Sequence, residues 1–489
     1  MVGSDDSTQF KSGSVGLKRS LGPNIAIAVV VGNVIGSGIF LKPGTIAADG
    51  GRFDLIILVW IFGGVLCLLG ALCFAELATM YPQDGGIYVY LREAYGKLFA
   101  FLFGWTEVIF GKPAAIGALA VAFAGKFALA FDRELSAWEQ VAMATVLIVA
   151  LAWINIMGVL WGGRLQMLTT IIKAGFLGIL AVLPFALMGF VDRSLDATNY
   201  TTTVAANESS MAGQIGAVLL AVMWAYNGWH GVTSLAEEVR QPQRNIPLSL
   251  FVGIGILIAL YVSANVAYHG VLSMQEMKNA GPDAAEHMLD RLLGHWGVVA
   301  MSAVIMCSTF GAINVNLLNG PRIIFSMGRD RQLFRDLGKV HTNYRTPVTA
   351  IVMMALMSIG LIVTVVISKH LAQDVDADVF QFEIARRIVE SLQDDLIFDL
   401  LTNFVIFSAS IFYALTVLAV LVLRFRQPQT NRPYRTWGYP LTPICFLVVY
   451  SWFLGQVYSS RELESRVGLL LIAAGVPVFL ISRWWNKDR

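Results

Sequence analysis

Charge is what this sequence has least of: Asp, Glu, Lys and Arg make up 14% of its 489 residues, against 56% hydrophobic ones. Ordinary soluble domains carry about 25% charged residues. A soluble protein of this length, divided into domains with charged surfaces, is therefore excluded. The net charge is only +2, which removes the case for nucleic acid or an acidic macromolecule as partner. Cysteine is nearly absent. Cys67, Cys73, Cys307 and Cys445 all fall in apolar runs, at no metal-ligand spacing from a histidine and in no disulfide framework, so they read as buried inert thiols. The six histidines are scattered, with no carboxylate cluster or nucleophile–base pair for a membrane enzyme and no filter repeat for a channel. Neither a cofactor nor a metal is expected. Residues 1–23 lack the apolar core and cleavage site of a signal peptide, so the first apolar run should remain as a membrane span.

Long apolar runs are what the sequence has instead, many near the roughly 20 residues that cross a hydrocarbon core about 30 Å thick. They predict an all-α integral membrane protein with twelve transmembrane helices, at 24–47, 54–80, 97–126, 137–157, 164–189, 212–238, 248–271, 296–327, 348–368, 400–424, 439–458 and 466–484. Basic residues cluster on one side of these spans: Lys11, Lys18 and Arg19, then Arg329, Arg331, Arg335, Lys339 and Arg345, then Arg424, Arg426, Arg432 and Arg435. Positive charge marks the cytoplasmic side of a cell membrane, which puts both termini, 1–23 and 485–489, in the cytoplasm. Of the outer segments, 190–211 carries the sequons Asn199-Tyr200-Thr201 and Asn207-Glu208-Ser209, which matter only in a glycosylating host. The acidic segment 369–398 has Phe380, Ile384 and Ile388 at helical spacing, the pattern of an amphipathic surface helix.

Two spans are interrupted by residues that favour no helix. Span 1 contains Gly36-Ser37-Gly38 and span 6 contains Tyr226-Asn227-Gly228. Each opens a five-span block, 24–189 and then 212–424, with 439–484 as two further helices. Interruptions at matching places in two halves point to the binding site of an inverted-repeat transporter. Alone, Gly32-x-x-x-Gly36 reads as a helix-packing motif; the matching break in span 6 shifts the balance to binding. An unwound stretch at mid-membrane is tolerated only beside protein or a watery cavity. The following half-helix offers free N–H groups and a positive dipole end, a seat for a carboxylate. The opposite ends offer carbonyls, which suit an ammonium, so a zwitterionic amino acid fits both.

Lys173 lies near mid-depth in span 5, where an ammonium is costly and a functional role is the default; the bland alternative is a side chain snorkelling to the interface. Glu107 and Lys112 form a second intramembrane pair, five residues apart and so poorly placed to bond along one helix; pairing with other helices is expected. Ser308, Thr309 and Asn314 can line a cavity or hold helices together. Glu237 and Glu238 read as a cytoplasmic gate or a helix-end contact.

These residues resemble the amino acid–polyamine–organocation superfamily, and within it the L-type amino acid transporters. The resemblance spans nearly the whole chain. Its anchors are Gly-Asn-Val-Ile-Gly-Ser-Gly-Ile-Phe at 32–40, Cys-Phe-Ala-Glu-Leu at 73–77 with Gly-Gly-Ile-Tyr at 85–88, and Trp-Ala-Tyr-Asn-Gly-Trp at 224–229. Glu-Glu-Val-Arg-Gln-Pro-Gln-Arg-Asn-Ile-Pro at 237–247 and Arg-Pro-Tyr-Arg-Thr-Trp-Gly-Tyr-Pro at 432–440 complete them. The resemblance implies two inverted five-helix repeats plus two helices, with helices 1 and 6 discontinuous, working by alternating access. It implies a substrate carboxylate at Gly36, Ser37 and Gly38, and its amino group at carbonyls around Ile35 and around Ala225, Tyr226 and Asn227. Trp224 takes the place of an aromatic gate, His230 lies by the side-chain pocket, and Tyr261 matches a helix 7 tyrosine. Lys173 takes the place of a sodium ion, with partners on helices 1 and 8, Ser308 among them. Sodium-independent exchange of neutral amino acids follows as the expectation, with a proton-coupled symporter as its rival. Residues 127–136 hold no cysteine, so no disulfide-linked heavy subunit is expected and a stand-alone, bacterial-type member is.

Overall fold

A chain in lipid has no water to satisfy its N–H and C=O groups, so each apolar segment must pair them within itself. In the computed structural model, which describes residues 16–129, 133–191, 194–207, 210–373, 375–376, 386, 389–390, 397–460 and 462–485, helix accordingly dominates. Among the described residues, eleven helices are long and apolar enough to cross a membrane, and the only β pairings are isolated bridges. The protein is an all-helical, multi-pass membrane protein.

The first expected span is divided. Helix α1 (Pro23–Val34) opens with proline at a first-turn position, where a missing N–H costs nothing. It stops at Val34, resumes as α2 (Gly38–Leu41), and gives way at Lys42 to α3 (Pro43–Gly50). Next come α4 (Phe53–Met80) and the shorter α5 (Ile87–Tyr95). The third span joins α6 (Lys97–Thr106) to α7 (Lys112–Leu129) through a single π-helical turn, Glu107–Gly111. Helix α8 (Ala137–Met157) starts on a capping box between Ser136 and Glu139, and α9 (Val159–Ala186) carries Lys173.

The span expected at 212–238 is the one that hydropathy describes least well. Helix α10 (Met211–Ala225) has only 15 residues, and after Tyr226–Gly228 the chain continues as a 3-10 turn, Trp229–Leu235. Gly228 has φ 103°, a left-handed conformation that side chains resist, and a Cβ there would lie 2.6 Å from Asn33 Nδ2. Helix α11 (Pro242–Val271) follows, then two short helices unmarked by hydropathy, α12 (Met274–Ala280) and α13 (Ala284–Leu293). The last spans are α14 (His295–Arg329), α15 (Val348–Ala372), α16 (Ile397–Arg426), α17 (Leu441–Ser460) and α18 (Glu462–Trp485). The surface helix expected from Phe380, Ile384 and Ile388 lies outside the described residues, as do Glu208 and Ser209 of the second sequon.

Apart from Asn24 and Asn33, helix α1 is apolar on all sides, the mark of a buried helix. It packs against α9, α11, α14 and the 3-10 turn. Val146, Val149, Ile171, Ile179, Val182, Leu356 and Val448 face outward, where lipid replaces water as their solvent. Polar side chains such as Asn155, Gln166, Lys173, Ser308 and Asn314 are buried at the centre.

Candidate functional site

The chain leaves α1 at Ile35, and the Gly36 N–H turns back to the Val34 carbonyl at 2.7 Å. The two breaks meet backbone to backbone: a Cβ on Gly38 would stand 2.9 Å from the Cα of Ala225. Breaking a helix frees carbonyls that need donors. Buried Lys173 supplies them, donating from Nζ to the Gly32 and Ile35 carbonyls at 2.7 Å each, with the Ser308 carbonyl at 3.5 Å. Ser308 Oγ also donates to the Ile35 carbonyl, at 3.1 Å. The Tyr261 hydroxyl lies 2.9 Å from the Val34 carbonyl and 3.1 Å from that of Ala225. One phenol proton thus ties the first break to the second.

In front of the breaks lies a cavity of about 130 Å³. Gly36, Ser37 and Gly38 line it from one side, and Trp224, Ala225, Asn227 and His230 from the other. Ile35 and Tyr226 do not reach its wall. Ile35 is fully buried, its carbonyl held by Lys173 and Ser308. Tyr226 packs between Trp60 and Tyr261, with ring centres 5.8 and 5.1 Å away.

The opposite wall carries Glu107, Gly111 and Lys112. Glu107 and Lys112 were expected to pair with other helices rather than along their own; Lys112 does reach another helix, and the two also pair with each other, Nζ to Oε2 at 3.7 Å. The π turn is the reason. Its i→i+5 bond, from the Lys112 N–H to the Glu107 carbonyl, adds a residue to the turn and stacks side chains that an α-helix would splay apart. Lys112 also donates to Asn316 Oδ1 of α14 at 3.1 Å. The Tyr413 hydroxyl donates to Asn227 Oδ1 at 2.8 Å, with the His230 ring packed 4.8 Å away, and Asn33 Nδ2 donates to the Gly228 carbonyl at 2.6 Å. Thr309 and Asn314 lie off the cavity: Thr309 bonds within its own helix, and Asn314 joins Asn155 and Gln166.

The end of the bundle that holds Leu21 is closed by backbone and by charge. The Ser20 and Leu21 N–H groups donate to the Glu238 carbonyl at 2.9 Å, and the Arg240 N–H returns to the Leu21 carbonyl at 2.8 Å. Glu238 forms a two-pronged pair with Arg322, both side chains fully buried, at 3.1 Å on each prong. Glu237 pairs with Arg329 at 2.5 Å. Asp84, between α4 and α5, accepts the Glu237 N–H at Oδ1 (2.8 Å), while buried Oδ2 has no hydrogen-bond partner among the described residues. Burial, with Glu238 and Glu237 alongside, pushes the Asp84 carboxyl well above the usual carboxylate range, against the pull of Arg322. Between the ordinary aspartate value of about 3.9 and that raised value, the folded protein keeps a proton that the unfolded chain has lost. Stability is full below this window and falls as pH climbs through it. Asp84→Asn should flatten that slope in melting curves taken in detergent from acid to neutral pH. Parallel profiles for the two proteins would mean that Asp84 is ionised in the fold.

A sequence model of the amino acid permease family matches residues 21–469. The chain belongs to that family. The permease is 32% identical to the serine/threonine exchanger SteT of Bacillus subtilis (strain 168), over 95% of this chain and 97% of that protein. It is 30% identical to large neutral amino acids transporter small subunit 2 of Homo sapiens, over 97% and 82% of the two chains. To Asc-type amino acid transporter 1 of Mus musculus it is 28% identical, over 97% and 83%.

Sequence reasoning did not single out Asn33, Asn316 or Tyr413 of this permease. Asn33 and Asn316 left a usable signal, an amide in an otherwise apolar stretch. Tyr413 left none, since a tyrosine in an apolar run reads equally well as core.

Proposed function

We propose that this permease is a sodium-independent exchanger of small neutral L-amino acids, resident in a cell membrane with both termini in the cytoplasm. The single observation behind this is a cavity between two interrupted helices whose freed carbonyls already hold the Lys173 ammonium. An ammonium in that nest leaves no vacancy for a metal cation, so substrate binding needs no sodium. The carboxylate would sit on the N–H groups of Ser37 and Gly38 at the start of α2. The amino group would take the free lone pairs of the Ala225 and Asn227 carbonyls, since Lys173 and Ser308 already occupy both lone pairs of Ile35 and Tyr261 only one of Ala225. Trp224 and His230 would flank the side chain.

Charge and size narrow the substrate. Glu107 and Lys112 cancel each other, so the cavity favours a neutral side chain over a charged one. A cavity of about 130 Å³ is close to the ~150 Å³ that holds benzene, and alanine has as many heavy atoms as benzene. Serine and threonine exceed that slightly; leucine and phenylalanine need the walls to move. The name of the Bacillus relative, a serine/threonine exchanger, points the same way.

Twelve transmembrane helices complete the reading, the broken α10 and its 3-10 turn being the twelfth, with 24–189 and 212–424 as inverted repeats rocking about the cavity. The chain would act without a disulfide-linked heavy subunit, for want of a cysteine at 127–136. The test uses purified protein in liposomes and labelled serine outside, in sodium-free buffer. Uptake should require unlabelled amino acid inside, and internal alanine or serine should drive it better than internal leucine. Uptake into empty liposomes driven by sodium or by an inward proton gradient would replace the exchanger by a symporter.

A further inference from the structure

A second and larger hollow opens away from the breaks, on the outer face of the bundle. It has a volume of about 750 Å³ and runs between α6 and its π turn, α14, α15 and α18. Its floor is apolar: Phe101, Trp105, Val108, Ile109, Met353 and Val478. From Phe101 to Ile109 it descends about 12 Å at ~1.5 Å per residue, close to the depth of one leaflet of a hydrocarbon core ~30 Å thick. Its mouth is different in kind. The loop after α14 places Arg331 and Arg335 there, both exposed, with Phe334 81% exposed between them. Arg331 is held at φ 57°, a left-handed conformation that a non-glycine residue adopts at a cost.

Gln332 supplies an independent pointer to a ligand. It lines the same hollow and is only 6% exposed, with Nε2 donating to the Lys97 carbonyl at 3.3 Å. Its Oε1 is buried without a partner among the described residues, and a buried acceptor left unmatched calls for a donor. An apolar trough of one-leaflet depth with two guanidinium groups and an unmatched acceptor at its mouth has the parts for one kind of occupant.

We infer that the trough binds an anionic phospholipid from the surrounding bilayer, its acyl chain against Trp105 and Ile109, its phosphate at Arg331 and Arg335, and a headgroup hydroxyl on Gln332. Guanidinium groups suit phosphate oxygens better than an ammonium does. A glycerol headgroup carries the hydroxyl that Gln332 lacks; a choline headgroup carries no donor at all. The site also backs onto the cavity wall. Val108 and Ile109 face the trough from the same π turn whose Glu107 and Lys112 face the cavity.

The test is lipid retention by the full chain, read by native mass spectrometry after adding back phosphatidylglycerol or phosphatidylcholine to detergent-stripped protein. Each arginine near an anionic surface is worth about a fivefold preference, so wild type should prefer phosphatidylglycerol by roughly tenfold or more. Arg331→Gln with Arg335→Gln should lose that preference and still take either lipid. Ile481→Trp, a change at a position already exposed to lipid, should fill the trough and retain neither. Equal retention of the two lipids by wild type, or a preference that survives the double arginine change, would overturn the assignment. Neither outcome bears on the exchanger reading, which is tested by transport alone.

Discussion

Lys173→Ala should abolish exchange, with labelled-serine counterflow falling at least a hundredfold while the protein still elutes as a folded species. Two short charge-assisted bonds hold the Gly32 and Ile35 carbonyls, and such bonds contribute about 1.5–3 kcal/mol each. Losing both removes at least ~3 kcal/mol, a factor above 100 in the population of the bonded geometry. Ser308 Oγ would still reach the Ile35 carbonyl, but Gly32 would be left with no donor from α9. The loss should be concentrated in function because the lysine holds the break itself. Once residues 35–37 drift, Ser37 and Gly38 no longer present their N–H groups to the cavity. Near wild-type counterflow from the alanine variant would show that the break keeps its shape unaided, and the role given to the ammonium would fail.

The two breaks could be read from the sequence because each sets glycine and polar residues in an apolar run, and the physics of lipid makes that combination expensive anywhere but a cavity. Lys173 was readable for the same reason. Its partners on α1 and α14 came from family resemblance, because hydrophobicity says nothing about which carbonyls a lysine will meet. Periodicity misled at Glu107 and Lys112. A spacing of five is wrong for an α-helix, and no residue in Glu107–Gly111 announces the π turn that makes it right. Hydropathy also missed α12 and α13, whose amphipathic faces are too short and too polar to register. Tertiary closure hid most completely. Asp84, Glu237, Glu238 and Arg322 come together from positions far apart in the chain, and the conspicuous Glu237-Glu238 pair could be assigned no more than a gate or a helix end. Which of the two glutamates is buried depends on the turn of a 3-10 segment, and the α-helical reading of span 6 places them differently.

That buried pair carries the second large prediction. Glu238→Leu alone should destabilise the protein by about 3–5 kcal/mol, because Arg322 remains in the core with its guanidinium uncompensated. Arg322→Met alone should cost a similar amount by stranding the Glu238 carboxylate beside Asp84. Combined, the two changes replace an ion pair by apolar side chains of similar bulk, an exchange that is often neutral or stabilising. Melting temperatures in detergent should therefore drop sharply for each single variant and recover in the double one. Transport should not recover with them. Should this end of the bundle open during transport, the two charges would regain water and that hydration would offset the breaking of the ion pair, whereas a leucine–methionine pair would gain nothing from water and resist opening. The double variant should be stable and slow, with counterflow reduced roughly tenfold for each ~1.4 kcal/mol by which opening is disfavoured. A double variant that is both stable and as fast as wild type would make Glu238 and Arg322 a structural pair only, and the moving part at this end would have to be sought instead in the Glu237–Arg329 and Arg92–Asp330 contacts nearer the surface.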